Sequence, residues 1–345
     1  MRTVTQLVAG LVMILLLDSC SPRISPLGPS TSTPEVPRII SGTFRTADGL
    51  HLPLRSWLPE KGTQINAVIV ALHGFNDYSN AFVEPAPWLA ARGIAFFAYD
   101  QRGFGAAPNA GMWPGTAPLI DDLRTMLDLV RTRHQGVAVY AMGVSMGAAV
   151  ILAALGDEDG KGLDTDGVVL VGPAVWGRAT MPAYQTWTLW LAAHTVPWLR
   201  LTAKNLDITP SDNVEMLRAL SRDPLVIKET RVDAMWGLVN LMDVALEATN
   251  ELDGPSLVLY GMRDEIIPAN AAQAMLDRLP QSAHSRQRVA VYDAGFHMLL
   301  RDLQGKVVWH DIASWLTDST AHLPSGADAH NRVKELADPN RTWQK

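Results

Sequence analysis

Gly143-Val144-Ser145-Met146-Gly147 directly follows an apolar run, Val137-Ala138-Val139-Tyr140-Ala141-Met142, and directly precedes a run of small and apolar residues from Ala148 to Leu155. Strand, sharp turn and helix are written in that order. A serine forced onto such a turn needs glycines two residues before and after it, because side chains there would collide with the neighbouring strand and helix. The pattern alone is weak, since chance produces G-x-S-x-G often; its flanks make it a nucleophile elbow.

Outward from it, short apolar runs recur at Ala67–Leu72, Ile94–Tyr99, Val168–Val171, Leu257–Tyr260 and Val289–Tyr292. Between them lie stretches with apolar residues at three- and four-residue spacing, which predict helices over about Ala81–Arg92, Pro118–His134, Met146–Leu155, Ala269–Leu279 and Leu303–Leu316. Alternation of this kind predicts an α/β fold with a doubly wound, mostly parallel sheet. Ile39 to Trp57 reads as a β-hairpin turning at Ala47-Asp48-Gly49. The eighty-odd residues between Val171 and Leu257 are too many for one crossover. They predict an inserted helical cap, residues 174–253, within a core of 39–173 and 254–317. Most of its aromatic residues, Trp176, Trp187, Trp190, Trp198 and Trp236, are expected to pack the cap on the main domain, with a minority lining an apolar pocket. From residue 318 to 345 the chain turns polar and is expected to be a loosely held tail.

The first twenty residues carry a different message. A positive start is followed by an apolar stretch from Leu7 to Leu17, too short to span a bilayer but suited to a secretory signal over residues 1–19. Cys20, the chain's one cysteine, ends it. Leu17-Asp18-Ser19-Cys20 resembles a bacterial lipobox, with Asp18 where a small or apolar residue is usual, so that Cys20 would be lipidated and head the mature chain; an ordinary cleaved signal or an uncleaved anchor are the alternatives. Residues 20–38, rich in Ser, Thr and Pro, would then form a flexible tether. Ser21 after the cysteine resembles an outer-membrane signal, which places the protein in the bacterial cell envelope, lipid-anchored on the periplasmic face of the outer membrane.

With 345 residues, 48% of them hydrophobic, the chain can build one large domain. A net charge of -6 and the lack of a Lys/Arg cluster argue against a nucleic-acid partner. One cysteine excludes an intrachain disulfide and a thiolate metal cluster.

A serine hydroxyl becomes a useful nucleophile only when a base takes its proton and an acid orients that base. In a doubly wound sheet both should follow later strands, in the order serine, acid, histidine. Asp264 fits the acid, in the turn Gly261-Met262-Arg263-Asp264, with Glu265 and Asp293 as substitutes. His297 fits the base, after the last strand in Asp293-Ala294-Gly295-Phe296-His297; His284, His310, His322 and His330 are worse placed. The oxyanion of a tetrahedral intermediate needs backbone N–H donors. Met146, at a helix N-terminus, supplies one, and Phe75 in Leu72-His73-Gly74-Phe75-Asn76 is the best candidate for the other. His73 is expected to hold that loop rather than to react, and Arg102 in Asp100-Gln101-Arg102-Gly103-Phe104-Gly105 to be structural, contact with a polar head group being the alternative.

The set His73-Gly74-Phe75, Asp100-x-Arg102-Gly103-x-Gly105, Gly143-x-Ser145-Met146-Gly147, Gly261-x-x-Asp264 and Gly295-Phe296-His297 resembles the α/β-hydrolase superfamily, in its monoacylglycerol lipase and lysophospholipase (serine aminopeptidase S33-type) branch. The cap segment Leu220-Ser221-Arg222-Asp223-Pro224 is similar too. Val144 stands where that branch commonly has a histidine, and Phe75-Asn76 where a small-then-polar pair is frequent. The resemblance implies Ser145 as nucleophile, Asp264 as orienting acid, His297 as base and the Phe75 and Met146 amides as oxyanion hole. It implies cleavage of carboxylic esters of monoacylglycerol or lysophospholipid through an acyl-enzyme, with no metal or cofactor. The alternatives are an esterase, thioesterase or peptidase acting on small soluble substrates, and a hydrolase-like module that only binds.

Overall fold

The computed structural model describes residues 21–26, 28, 35–157, 160–202, 204 and 206–329. Three antiparallel strands open it: β1 (Arg38–Ile40), β2 (Thr43–Arg45) and β3 (His51–Trp57). The expected hairpin is the β2–β3 pair; β1 is added by a tight reversal at Ser41 and Gly42, both at positive φ. Then follow β4 (Ala67–Leu72), α1 (Pro85–Ala90), β5 (Ile94–Tyr99), α2 (Thr116–Arg133), β6 (Ala138–Val144), α3 (Met146–Leu155) and β7 (Gly167–Val171). The inserted stretch holds α4 (Ala183–Thr195), β8 (Arg200–Thr202), α5 (Val214–Arg222), β9 (Glu229–Arg231) and α6 (Val232–Glu247). The chain returns through β10 (Ser256–Gly261), α7 (Ala269–Leu276), β11 (Gln287–Tyr292) and α8 (Gly305–Thr317).

The main sheet runs β1-β2-β3-β5-β4-β6-β7-β10-β11, and it is parallel from β5 onward. Its central strands are apolar throughout because both faces are covered. Alternate residues of β4 go to opposite sides. Val68, Val70 and Leu72 join the α2, α3 and α6 layer, whereas Ala67, Ile69 and Ala71 join α1 and α8. The buried stripe of α2, Leu119, Leu123, Met126, Leu127 and Val130, has the three- and four-residue spacing such a layer requires. After β4 the chain adds β5 on one side and then β6 on the other. The strand order therefore reverses at β4, which makes the carboxyl ends of β4 and β6 the switch point at which sheets of this kind place their sites.

Several expectations are corrected. The helix expected over Ala81–Arg92 is divided into a 3-10 turn at Ser79–Phe82 and α1, which starts at Pro85, a residue suited to a first helical position and unable to continue a helix from before it. The inserted stretch contains the β8–β9 ribbon, whose three-residue strands are too short to show a period. Its last helix, α6, sends Leu241, Met242, Ala245 and Leu246 into the core beside α3, so it is a layer helix of the main domain. The tryptophans mostly do not pack inward: Trp187, Trp190 and Trp198 are 70%, 44% and 52% exposed. The tail is held as far as residue 329. Leu323 and Ala327 are buried with α8, the Val291 N–H donates to the Ala327 carbonyl (2.9 Å), and Asp328 pairs with Arg288 (2.7 Å). Part of the tether is seated as well: the Ser25 N–H donates to the Trp113 carbonyl (2.7 Å) and the Gly28 N–H to Asp48 Oδ2 (2.8 Å). In both segments a few specific contacts outweigh a polar composition. The signal region, Cys20 and residues 330–345 lie outside the described residues. Among the described residues no helix is long and apolar enough to cross a membrane.

Candidate active site

Ser145 sits between β6 and α3 with φ 52° and ψ -112°, a strained conformation for a residue with a side chain. Close packing enforces the turn. A Cβ on Gly143 would lie 2.3 Å from the Ala148 nitrogen, and one on Gly147 would lie 2.3 Å from the Leu72 carbonyl oxygen on β4. The serine backbone is held by its N–H to the Val171 carbonyl (2.9 Å) and by its carbonyl, which accepts from Ala149 and Ala174 (both 3.1 Å). Its side chain does not cap α3 and so is left for other work.

His297 and Asp264 come together behind β10 and β11. Gly261, ending β10, meets the histidine loop so closely that a Cβ there would lie 2.5 Å from the Gly295 and Phe296 carbonyl oxygens. The Arg263 N–H donates to the Gly295 carbonyl (2.8 Å), joining the two loops. Asp264 Oδ2 accepts from His297 Nδ1 (2.7 Å), while its Oδ1 accepts from the Ile266 and Ile267 N–H groups (2.8 and 2.9 Å). Both side chains are buried, at 6% and 3% exposure. With Nδ1 donating to the carboxylate, the Nε2 lone pair of neutral His297 is available as a base. The imidazole lies against Gly172, whose built Cβ would be 3.4 Å from His297 Nδ1; the preceding residue, Val171, is the one that accepts from the Ser145 N–H.

The loop after β4 closes the other side. A Cβ on Gly74 would touch Ser145 Cβ at 3.4 Å. His73 is fully buried, and its Nε2 accepts from the Gln101 N–H (2.9 Å), so Nδ1 carries the proton and donates to the Gly74 carbonyl (2.9 Å). Burial holds its pKa below the ordinary histidine value. It is therefore a neutral brace for the loop. Phe75 packs edge-on against Phe104 (5.6 Å between ring centroids) and near Trp113 (6.4 Å). Among the described residues neither the Phe75 nor the Met146 N–H donates to another protein group.

The competing residues are elsewhere. Exposed Glu265 accepts from the Thr209 N–H (2.6 Å), Asp293 is exposed, His310 packs on Trp88, and His322 is exposed beside Asp328. His284 is a turn residue before β11, and His330 is outside the described residues. Arg102 bridges Asp48 and Asp122 and is structural, as expected. A cavity of about 480 Å³ opens between α1 and α8 near Trp88, Arg92 and His310, at the amino ends of β4 and β5 and far from Ser145. Among the described residues no cluster of His, Cys, Asp and Glu could hold a metal ion.

Sequence reasoning missed the contacts between the inserted stretch and these loops. Asn76 Nδ2 donates to Thr230 Oγ1 (2.6 Å), the Ile227 N–H to the Asn76 carbonyl (3.0 Å), and Tyr78 OH to Asp223 Oδ2 (2.7 Å). Ser211 Oγ donates to Asp302 Oδ1 (2.6 Å). These pairs are 91 to 154 residues apart, and no local pattern announces them.

Comparisons agree with the architecture. Residues 63–304 match the family described as serine aminopeptidase, S33. The chain is 25% identical over 289 residues to a monoacylglycerol lipase of Mycolicibacterium smegmatis (79% of this chain, 95% of the relative). It is 26% identical over 316 residues to the human monoglyceride lipase (88% and 97%). In fold it is similar to a soluble variant of the Saccharomyces cerevisiae monoglyceride lipase in complex with a substrate analogue, with a TM-score of 0.65 at 19% identity, covering 86% of this chain and 99% of that one. The chain belongs to the serine aminopeptidase S33 family of α/β-hydrolases and is a serine ester hydrolase.

Proposed function

We propose that the protein hydrolyses monoacylglycerol or lysophospholipid esters through a Ser145–His297–Asp264 triad. Ser145 Oγ attacks the ester carbonyl as His297 Nε2 takes its proton, and Asp264 stabilises the imidazolium that forms. The Phe75 and Met146 N–H groups receive the oxyanion, with the N-terminus of α3 adding a favourable dipole. The imidazolium then protonates the departing alcohol, leaving an acyl-enzyme on Ser145. Water, deprotonated by the same imidazole, attacks the acyl carbonyl, and the imidazolium returns that proton to Ser145 Oγ as the acyl bond breaks and the fatty acid leaves. The observation that carries the reading is the strained Ser145 turn together with a buried His297–Asp264 pair joined at 2.7 Å, both resting against Val171-Gly172.

The lipid part of the reading is supported by two things: the names of the relatives, and the surface of the inserted stretch, which exposes Tyr184, Trp187, Trp190, Leu191, Trp198 and Leu199. Side chains of this kind suit contact with aggregated lipid. Lipidation of Cys20 and anchoring at the periplasmic face of the outer membrane belong to the same proposal and rest on the Leu17-Asp18-Ser19-Cys20 run.

The test is a fluorophosphonate probe followed by a hydrolysis panel of monoacylglycerols, lysophospholipids and short aryl esters. Labelling at Ser145 is expected, and Ser145→Ala should lose about 10⁴-fold or more in turnover. A folded protein that stays unlabelled would favour a binding module. A flat response to acyl-chain length would remove the lipid substrate and leave a soluble-ester hydrolase.

A further inference from the structure

Asp302 stands five residues beyond His297, at the end of the loop that leads into α8. The N-cap residue of α8, Gln304, makes no side-chain cap, and the carboxylate of Asp302, two residues before it, turns back toward the loop that carries His297. Its Oδ2 accepts from the N–H of Phe296, the residue bonded to His297 (2.8 Å), and its Oδ1 from the hydroxyl of Ser211 (2.6 Å). Ser211, 1% exposed, belongs to the inserted stretch, and its hydroxyl oxygen also accepts from the Asn213 N–H (3.2 Å). Burial pushes the Asp302 carboxyl pKa up, and these two hydrogen bonds offset part of that cost.

We propose that Asp302 is a positioning residue for the base, clamping the His297 loop to the strap Thr209–Asn213 of the inserted stretch and so making the placement of the imidazole depend on how that strap is seated. The proposal rests on the reading of His297 as the base. The strap is stitched to the same loops along its length. The Met298 N–H donates to the Pro210 carbonyl (3.0 Å), Asn213 Nδ2 to the Arg301 carbonyl (3.0 Å) and the Leu303 N–H to Asp212 Oδ1 (2.9 Å). At its other end the Thr209 N–H donates to Glu265, the neighbour of Asp264. Two of these ties end on residues bonded to His297, the Met298 N–H on the Pro210 carbonyl and the Ser211–Asp302–Phe296 chain, and the second is the one that runs through side chains. Displacement of the strap takes the hydroxyl from Asp302 and loosens the loop that aims Nε2. A misplacement of about 1 Å in such a group costs on the order of 10²-fold in rate.

The experiment uses the full chain and a short soluble aryl ester, which needs little of the apolar surface. Ser211→Ala, Asp302→Asn and the double variant are compared for kcat, KM and the rate of fluorophosphonate labelling, with thermal unfolding as the check on folding. Expected are a fall in kcat of about tenfold for Ser211→Ala and between ten- and a hundredfold for Asp302→Asn, with KM unchanged within about twofold. The double variant should lose no more than Asp302→Asn alone, because both changes break one chain of contacts. A kcat within twofold of the parent for both single variants, losses confined to KM, or losses that multiply in the double variant would each overturn the proposal. Should Asp302→Asn not fold, Ser211→Ala decides, since it removes a single hydroxyl. His297→Ala is run alongside: full activity there would remove His297 as base, a different failure from that of the clamp.

Discussion

At the scale of single residues, the turn at Ser145 depends on the absence of two methyl groups. Gly147→Ala would place a Cβ against the backbone of β4, which cannot give way as a flexible side chain could. A loss of about 3 kcal/mol in urea denaturation and failure to take a fluorophosphonate label are expected. Gly254→Ala is the control, since a Cβ there meets nothing within 4 Å; it should leave stability within about 1 kcal/mol, on the stabilising side. Equal effects of the two would contradict the packing argument. His73 gives a pH signature. In the unfolded chain its imidazole takes a proton near pH 6.5, whereas burial keeps it neutral to lower pH in the folded protein. Its contribution is therefore fully present above about pH 6.5 and is lost as pH falls, by at most about 1.4 kcal/mol per pH unit. The stability gap between the parent and His73→Gln should narrow from pH 7.5 to 5.5. A gap that stays constant would mean that His73 is not held neutral. The candidate triad was legible because each member follows a strand within a short motif. Ser211, Asp302 and Asn76 were not, because their roles come from partners far along the chain.

At the scale of elements, Arg102 holds three of them. Its guanidinium makes paired contacts to Asp122 on α2 (2.5 and 2.7 Å) and to Asp48 in the β2–β3 turn (2.5 and 2.8 Å), from the loop after β5. Asp48 also receives the Gly28 N–H and the Thr46 hydroxyl, so the seated part of the tether ends on the same ion group. Arg102→Met would leave Asp122 buried without a counter-charge, at a cost of about 3 kcal/mol or more. Thermal unfolding should show that loss, while turnover per folded molecule on a short aryl ester is retained. A normal melting curve with selective loss of charged lipid substrates would instead indicate contact with a head group. The sequence announced the regular elements well where apolar runs were long: β4, β5 and α3 fall where the periodicity places them. It failed where the elements are short or are set by tertiary contact. The β8–β9 strands have three residues each, and α6 looked like part of the insertion until its inner face was seen to pack beside α3.

At the scale of the whole molecule, the same composition argument failed in one informative way. Tryptophan in an inserted segment was expected to glue it down, yet α4 buries only Ala193, and its aromatic residues Tyr184, Trp187 and Trp190 face outward. The insertion is held by the inner face of α6, by Trp176, Met181 and Leu189 packed against the core, and by polar ties to the loops after β4, β10 and β11, such as Asn76–Thr230, Glu265–Thr209 and Asp302–Ser211. The exposed rings of α4 meet one another, Trp187 edge-on to Trp190 (6.2 Å) and Trp190 stacked on His194 (4.8 Å), contacts within a single exposed helix. Replacing Trp187, Trp190 and Trp198 together by Gln should therefore leave the melting temperature and the kcat on a dissolved aryl ester close to those of the parent. On monoacylglycerol presented in vesicles the outcome should differ. Full burial of a large apolar side chain is worth about 1.5–3 kcal/mol, so three residues removed together should weaken vesicle association by about 10²-fold or more. Co-sedimentation with vesicles and initial rates on the same preparation measure this directly, using protein that lacks residues 1–20 so that the proposed lipidation of Cys20 does not mask the change. Unchanged sedimentation and unchanged rates would show that these side chains do not meet lipid, and the lipid substrate would lose the surface that supports it.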